Sequence, residues 1–391
     1  MSFRKSWKFY EECYKILNEE KNKDKLDPEY VHDVMLGYGV FNFIISLIPP
    51  AFTFFVEAIG FKGDREKGYS MIRECSKRQT MTGLVSLLIL QALNQFYFED
   101  YKKAIELQTE MTDRFPRAIM PLFISGYSYR FMGLLDDSAA NFKRIYEEAG
   151  ELGQVKYNCF YELGTTAVKI SDWEGAIKNL LAYFEGNPQE GYRCYAAYEI
   201  GMCYVFVGNT KDAIEYFKKS VLWVRKEYAF DLFAARKSKL YLDEYNKNPQ
   251  KNELVPKVEL LLFELKEKMK CNLHEDSLKQ LQRIKELGIK TLSPDSRAAY
   301  YLCKGETIRK IGHYDSALKP LNKAIKEKVR TELYAIPHAL VEIAQCYVSL
   351  QQPNEAKKVL AQAQGFKDYD FNAQLLRTIT RISDSINGAK F

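Results

Sequence analysis

Small and apolar residues recur along this chain at a nearly constant spacing. A small residue is followed twelve positions later by a second small residue, and four positions after that by an apolar residue, as in Gly164, Ala176 and Leu180. Within each of two runs, neighbouring copies lie 34 to 39 residues apart, and the copies begin at Ala92, Gly126, Gly164, Gly201, Gly305 and Ala344. Two antiparallel helices that cross closely leave room only for small side chains, so the spacing predicts a row of helix–turn–helix units.

The segments around the paired small residues strengthen this prediction. The predicted turns are polar or aromatic-polar, as in SDWEGA, GNTKDA and GHYDSA, and Pro116 and Pro188 stand where a second helix would end. This register and period are typical of the tetratricopeptide repeat. We therefore expect an all-α fold, a tetratricopeptide-repeat right-handed superhelical solenoid with an irregular helical N-terminal region and a C-terminal capping helix. The alternative is an ordinary helical bundle with Gly and Ala at chance crossings.

The repeats occupy two blocks, which divides the chain into five predicted parts. Residues 1–80 form an N-terminal helical region with an apolar Pro-Pro segment, and residues 81–224 form the first block of repeats. Residues 225–297 lack the small-residue register and are interpreted as an irregular helical and charged connector. Residues 298–364 form the second block. Residues 365–391 are predicted to cap it with an amphipathic helix that carries Leu375, Leu376, Ile379, Ile382 and Ile386.

The most apolar stretch, Val34–Phe61, has 28 residues and Glu57 as its single charge. Its length would suffice to span a bilayer. Pro49-Pro50 argues against one straight helix, because consecutive prolines remove hydrogen-bond donors and clash with the preceding turn. We favour two buried helices joined at the prolines. Membrane contact, including a re-entrant hairpin, is the alternative.

Composition and charge narrow the class of protein. A hydrophobic content of 47% with 14% aromatic residues excludes a disordered chain. The net charge of +6 is spread along the chain, and the lysine-rich stretch Arg236–Lys270 also carries Asp and Glu. We interpret this stretch as a solvated helical face, and we expect no nucleic-acid partner.

The cysteines and histidines give no sign of a metal or cofactor site. The eight cysteines form no CxxC pair, and the N-terminal residues MSFRKSWKFYEECYK lack the apolar core of a signal peptide. These features predict a cytoplasmic chain with reduced, mostly buried thiols. The four histidines are far apart in sequence, and none has a second ligand at helical spacing, so we expect no metal and no cofactor.

No catalytic motif can be assembled from the sequence. GYGVFN at 37–42 lacks the third glycine of a nucleotide-binding loop, and no Ser-His-Asp set or HExxH motif is present. Asp64 is better explained as the N-cap of the helix that begins REKGYSMI, as Asp27-Pro28 is for the helix before it. We therefore expect that the protein is not an enzyme.

The predicted functional surface is the concave face formed by the first helix of each repeat. A tyrosine-rich groove suits peptide recognition, because Tyr supplies a large contact area with a polar tip. The alternative is that many of these side chains pack between adjacent repeats. Tyr198→Ala is expected to weaken partner capture with little change in melting temperature. The candidate partner-binding residues are Phe123, Tyr127, Arg130, Asn158, Tyr161, Tyr195, Tyr198, Arg309 and His338.

Three segments carry a resemblance to a known family. They are SWKFYEECYKIL at 6–17, GYGVFNFIISLIPP at 37–50 and IGFKGDREKGYSMI at 59–72. The chain resembles the tetratricopeptide repeat protein 39 family, which includes the yeast inclusion body clearance proteins. It looks like an N-terminally shortened member, because family members usually carry a further helical region before the first of these segments.

The resemblance implies a helical, non-catalytic adaptor linked to lipid homeostasis, inclusion clearance or ciliary assembly. It also implies a location peripheral to the mitochondrial outer membrane or another organelle surface. Two functions follow. The first is a cytoplasmic scaffold that presents its repeat groove to a peptide or helix of a partner protein. The alternative is a membrane-associated or lipid-binding protein that uses Val34–Phe61 for that contact.

Overall fold

The computed structural model describes residues 3–19, 26–48, 63–98, 100–150, 152–189, 191–248, 250 and 253–386. All regular secondary structure in these residues is helical, which confirms the predicted all-α class. The described residues divide into two compact units, one that ends at Ser128 and one that begins at Tyr129.

The N-terminal unit contains, in its described residues, five helices and most of a sixth. Asp27 and Asp64 both cap a helix as predicted: the carboxylate of Asp64 accepts a hydrogen bond from the backbone N–H of Lys67 at 2.9 Å, and that of Asp27 accepts one from Glu29. The helices are α1 (Phe3–Leu17), α2 (Pro28–Ser46), α3 (Arg65–Ser76), α4 (Met81–Phe96), α5 (Tyr101–Arg114) and α6 (Ile119–Phe131), which runs past the unit boundary.

Two glycines allow α2 and α3 to cross with their backbones in contact. A Cβ atom added to Gly68 would lie 2.6 Å from the carbonyl oxygen of Gly39, so neither position can carry a larger side chain without moving a helix. Phe43, next to this crossing, is fully buried with Ile72 and Leu87 in the core of the unit.

The predicted apolar stretch Val34–Phe61 is described only as far as residue 48. Phe43 and Ile45 are buried as expected for a core helix, and Ile45 packs with Trp7 of α1. Ile44 and Leu47 are 47% and 37% exposed. The Pro49-Pro50 bend and the second predicted helix lie outside the described residues. Among those that are described, no helix combines the length and apolarity needed to cross a membrane.

The C-terminal unit continues the series of antiparallel helix pairs. Its helices are α7 (Leu135–Glu148), α8 (Gly153–Ile170), α9 (Trp173–Gly186), α10 (Arg193–Phe206), α11 (Thr210–Leu222), α12 (Ala229–Lys247), α13 (Lys257–Lys270), α14 (His274–Glu286), α15 (Pro294–Lys310), α16 (Tyr314–Ala324), α17 (Ala335–Ser349), α18 (Pro353–Gln364) and α19 (Asn372–Ile386). A single 3₁₀ turn, Ile289–Thr291, precedes α15.

The small residues of the predicted repeats lie at helix crossings. A Cβ atom added to Gly164 would come within 2.6 Å of the Leu180 side chain, sixteen positions further on. At the same spacing, a Cβ atom added to Gly201 would lie 2.6 Å from the Phe217 ring, and one added to Gly305 would overlap the Leu321 side chain. The apolar residue of each copy therefore covers its glycine, which confirms the repeat register and the solenoid architecture.

The segment interpreted as a charged connector contains three regular helices, α12 to α14. Two of them, α12 and α13, fall where the sequence predicted further helices. The prediction of a solvated face along Arg236–Lys270 is wrong for its inner residues. The side chains of Lys237, Glu267 and Lys268 are at most 8% exposed. Their charges are buried because each has a partner: Lys237 contacts Glu259, Glu267 contacts Lys169, and Lys268 donates to the backbone carbonyl of Lys169.

The last helix, α19, packs against the final repeat. Leu375, Ile379 and Ile382 are buried in one cluster with residues of α17 and α18, whereas Leu376 is 41% exposed on the opposite face. The amphipathic helix predicted near the C-terminus therefore covers apolar surface of α17 and α18.

Candidate functional site

The predicted partner-binding residues fall into three groups. Phe123 and Tyr127 belong to the N-terminal unit, where their rings lie 6.4 Å apart on one face of α6. Tyr127 is 40% exposed. These two side chains form a separate surface feature of that unit.

A second group makes contacts within the C-terminal unit. The Arg130 guanidinium contacts the Glu162 carboxylate at 2.6 Å, and Arg309 contacts Glu342 at 2.5 Å. The ring of Tyr161 stacks on Tyr192 at a centroid distance of 4.7 Å. Asn158 accepts a hydrogen bond from a side chain one turn earlier, that of Gln154, at 3.2 Å. Arg130, Tyr161 and Arg309 thus contact residues outside their own helix, as the alternative interpretation of packing between neighbouring repeats expects.

The third group, Tyr195, Tyr198 and His338, lines one cavity of about 480 Å³ in the C-terminal unit. These residues belong to α10 and α17, which are far apart in sequence. Tyr198 is only 2% exposed and its ring packs against Phe217, Phe233 and Phe263. Its truncation is therefore expected to lower stability, in place of the unchanged melting temperature expected from the sequence.

Aromatic and aliphatic side chains from several helices form the walls of this cavity. Phe233 of α12 lies 5.7 Å from Phe371, which precedes α19, and 6.3 Å from Tyr334, which precedes α17. Phe371 has a φ of +68°, a conformation unusual for a large side chain, and its ring is also 5.2 Å from Phe230. Leu262 and Leu302 complete the apolar lining.

One end of the cavity carries a buried ionic cluster around Lys237. Its ammonium contacts Glu259 at 2.5 Å and Glu332 at 3.1 Å. Burial opposes the charge of this lysine, but the two carboxylates outweigh that effect and raise its pKa. Burial likewise opposes the charge of Glu332, yet Lys237, Lys266 and Arg236 lower its pKa to about 2. Lys237 and Glu332 are therefore charged at neutral pH.

A second ionic cluster lies around Glu267 of α13. Its carboxylate contacts Lys169 of α8 at 2.9 Å and Lys270 at 2.5 Å, and Lys270 also donates to the hydroxyl of Tyr195 at 2.9 Å. Against the effect of burial, the two lysines lower the pKa of Glu267 to about 2. In Glu199, burial and the nearby Glu267 raise the pKa to about 7. Neither carboxylate oxygen of Glu199 has a hydrogen-bond partner within the described residues.

Lys266 and His338 supply polar groups that the ionic clusters do not use. The Lys266 ammonium donates to the Tyr334 hydroxyl at 2.7 Å and lies over the Phe233 and Tyr334 rings. Burial lowers the pKa of His338 to about 4, although Glu306 opposes this, so the imidazole is neutral at physiological pH. Its buried Nε2 atom has no hydrogen-bond partner in the part of the chain that is described.

The cavity offers binding groups and no activated nucleophile. Burial raises the pKa of its one thiol, Cys303, to about 12, so this group is protonated and unreactive at neutral pH. Across the described residues, no three His, Cys, Asp or Glu side chains are placed to hold a metal ion together. The arrangement therefore suits recognition of a molecule with an apolar part and a charged or polar part.

Sequence reasoning missed the contribution of α12 and α13 to this site. Both helices lack the small-residue register, so they were not counted among the repeats. One signal was available: α13 contains the run Leu260–Phe263, which places apolar residues around the whole helix. A helix that is apolar on every side is expected to be buried.

These helix pairs, with a glycine at the crossing and an apolar residue over it, define a tetratricopeptide-repeat protein, a class that acts mainly as a scaffold for protein interactions. A family model described as Iml2/Tetratricopeptide repeat protein 39 matches residues 1–311, and a tetratricopeptide-repeat model matches residues 337–368. The protein belongs to the Iml2/tetratricopeptide repeat protein 39 family, as the resemblance implied.

Solved structures of tetratricopeptide-repeat proteins are similar over much of the chain. One is the TPR2AB domain of yeast Sti1 in complex with pHSP90, with 16% identity over 69% of this chain and 98% of that one, at a TM-score of 0.28. Another is a repeat protein from Parabacteroides merdae, with 13% identity over 68% of this chain and 98% of that one, at a TM-score of 0.28. At these scores neither structure bears on the partner of this protein.

Proposed function

We propose that this protein is a non-catalytic interaction scaffold, and that its C-terminal unit binds a partner protein at the mouth of the cavity. The observation that carries this proposal is the convergence of aromatic side chains from α10, α12, α17 and the segment before α19 on one cavity. Aromatic side chains around a concave site are typical of the centre of a protein interface.

Phe230 is the side chain at this site best placed to contact a partner. It lines the cavity, is 48% exposed, and packs edge-on against Tyr195 at 5.7 Å and Phe371 at 5.2 Å. Lys270, whose side chain is 42% exposed, lies over the Tyr195 ring and supplies a polar rim. An apolar side chain of the partner would bury Phe230 on binding.

The test places a photo-crosslinking amino acid at Phe230 and, as a control, at Leu222, which is 78% exposed and does not line the cavity. We expect a discrete crosslinked partner from position 230 that is absent from position 222, and we expect Phe230→Asp to abolish its co-purification. The same crosslinked species from both positions, or an undiminished partner with Phe230→Asp, would contradict the proposal.

The proposal also covers the cellular location of the protein and the pathway in which it acts. We propose a cytoplasmic protein that lies at an organelle surface, such as the mitochondrial outer membrane, and acts in lipid homeostasis or inclusion clearance. Membership of the family supports this assignment. Localisation of the tagged protein by microscopy, together with lipid and inclusion measurements in cells that lack it, would test it.

Membrane or lipid contact through Val34–Phe61 is the second candidate function. The exposed Ile44 and Leu47 at the end of α2 favour it, because they are apolar side chains on the surface and belong to the same apolar stretch of the sequence. Membrane flotation with a carbonate wash separates the two functions. Ile44→Glu would release a membrane-bound protein without unfolding it, whereas Ile45→Glu would unfold the unit, since Ile45 is buried.

A further inference from the structure

We propose that the cavity of the C-terminal unit binds a small apolar molecule that carries one carboxylate, with the carboxylate on Lys266. This inference goes beyond the scaffold function, because it assigns a small-molecule ligand to the interior of the cavity whose mouth receives the partner. Three observations support it: a lining lysine without a contacting carboxylate, an unsatisfied imidazole, and the apolar character of much of the lining.

Among the described residues, Lys266 is the one lining lysine without a carboxylate at ion-pair distance. Each lining carboxylate already has a cation: Glu259 has Lys237 at 2.5 Å, Glu267 has Lys169 at 2.9 Å, and Glu306 has Lys310 at 3.0 Å. The lining lysines other than Lys266, which are Lys237, Lys270 and Lys310, are thereby paired as well.

The Lys266 ammonium donates a hydrogen bond to the Tyr334 hydroxyl at 2.7 Å, and no carboxylate oxygen of the described residues lies at ion-pair distance from it. An ammonium group has three N–H donors, so Tyr334 satisfies one of them. Glu259 and Glu332 interact with Lys266 electrostatically at longer range, and both are in contact with Lys237. A ligand carboxylate in the cavity would give Lys266 an acceptor for its remaining N–H groups at ion-pair distance.

His338 supplies a second group for the same anion. Its Nε2 atom is buried and unpartnered, and its ring lies edge-on to Tyr334 at 5.6 Å, the residue that Lys266 contacts. A buried polar atom without a hydrogen bond is unfavourable, so a ligand oxygen at this position would stabilise the site. A neutral imidazole with the proton on Nε2 can donate to a carboxylate beside Lys266.

Much of the cavity lining is apolar. Its walls include Phe233, Leu262, Leu302 and Phe371, which offer no hydrogen bonds to a ligand. Its volume of about 480 Å³ lies in the range of small-molecule sites, roughly 300–1,000 Å³.

The test is a fluorescence titration of the full chain with cis-parinaric acid, an apolar polyene with one carboxylate, and with its methyl ester. The variants are Lys266→Met, which keeps the length of the side chain, and the control Lys239→Met. Lys239 is exposed on α12 and does not line the cavity. We expect saturable binding of the acid at one site, about tenfold weaker in Lys266→Met and unchanged in Lys239→Met.

The ester gives an independent readout that does not depend on how a variant folds. We expect it to bind the wild-type chain about tenfold more weakly than the acid does, and to show no further loss in Lys266→Met. Equal binding of acid and ester, equal binding by both lysine variants, or absence of binding would overturn the proposal. So would saturable binding of a fluorescent peptide with an apolar C-terminal residue when the free acid does not bind. A failure here leaves the scaffold function intact, because that function is judged by crosslinking at Phe230.

Discussion

The two units of the protein bury different kinds of polar side chain. In the N-terminal unit, the buried polar residues that the structure describes are all uncharged: Asn42, Ser76, Thr82, Ser86, Gln91, Asn94, Gln95, Gln108, Ser125 and Ser128. The C-terminal unit buries Glu162, Lys169, Glu199, Asp231, Lys237, Glu264, Glu267, Lys268 and Glu332. Both units consist of paired helices, so the repeat architecture alone does not explain this difference.

Part of the difference follows from the contacts of α13, whereas Glu162 and Asp231 pair elsewhere, with Arg130 and Arg225. This helix carries Glu264, Glu267 and Lys268 into contact with the end of α8, where Lys169 and Ser171 lie. Buried ion pairs add little net stability, because desolvation offsets their attraction, but they penalise any arrangement that leaves one charge alone. We therefore interpret these pairs as the groups that hold α13 in one register on the inner side of the repeats.

The largest effect is expected from Glu267→Ala, which removes the carboxylate from a buried ion pair of the C-terminal unit. It leaves Lys169, whose side chain is 10% exposed, without its carboxylate, and we expect a loss of roughly 3–5 kcal/mol in the free energy of unfolding of the C-terminal unit. Urea unfolding followed by the fluorescence of Trp173 and Trp223, which both belong to this unit, measures the effect.

Two controls accompany this variant. Glu215→Ala removes the partner of Lys219 in an exposed pair, at 2.6 Å, and should leave the unfolding transition nearly unchanged. The double variant Lys169→Met/Glu267→Met should recover much of the stability, because both members of the most buried pair are removed together and Lys270, which is 42% exposed, can be solvated. A double variant as unstable as Glu267→Ala would refute the electrostatic explanation.

The N-terminal unit should respond to the loss of a polar partner without any dependence on pH. The Gln95 Oε1 atom accepts hydrogen bonds from the Gln91 amide and the Ser128 hydroxyl, both at 2.5 Å. Gln95→Leu leaves these donors poorly satisfied, and we expect a loss of roughly 1–3 kcal/mol. Hydrogen exchange of α4, measured at pH 5.5 and at pH 8, should report the same loss after correction for intrinsic exchange. A loss that differs between the two pH values would show that a titrating group is involved.

Glu199→Gln should change how the stability of the C-terminal unit depends on pH. The folded-state pKa of Glu199 is raised from 4.5 to about 7. Between these two pH values the folded protein keeps a proton on Glu199 that the unfolded chain has released. The stability of the wild-type unit therefore falls as pH rises from about 4.5 through about 7. The glutamine has no proton to lose, so we expect a stabilisation on the order of 1 kcal/mol at pH 8 and almost none at pH 4.5. Urea unfolding across this range measures it, and a difference that does not change with pH would contradict the assignment.

The repeat architecture was predictable because it depends on short-range geometry. Gly164, Gly201 and Gly305 each stand sixteen residues before the side chain that covers them, and this spacing is visible in the sequence. The helix starts at Asp27 and Asp64 were predictable for the same reason, because each cap involves only residues within three positions of the aspartate. Each of these features needs only the residues of one helix pair.

The candidate site was predicted only in part, because it depends on contacts between distant residues. Tyr195, Tyr198 and His338 follow from their place on the first helix of a repeat, and all three line the cavity. Lys266 does not follow from any repeat position. Its role depends on α13 folding inward, a contact that no local spacing in the sequence indicates. The same limitation explains why a buried ionic segment was interpreted as a solvated face.

The ion pair between Lys169 and Glu267 joins residues 98 positions apart, and this separation has a consequence for the time course of biosynthesis. At a translation rate of about 5–20 residues per second, a ribosome needs roughly 5–20 s to extend the nascent chain from the first residue to the second. During that interval the emerging repeats around α8 expose a lysine whose counter-charge has not yet been made. In the N-terminal unit, the buried polar groups that the structure describes are neutral, so none of them waits for an oppositely charged partner while the chain folds on the ribosome.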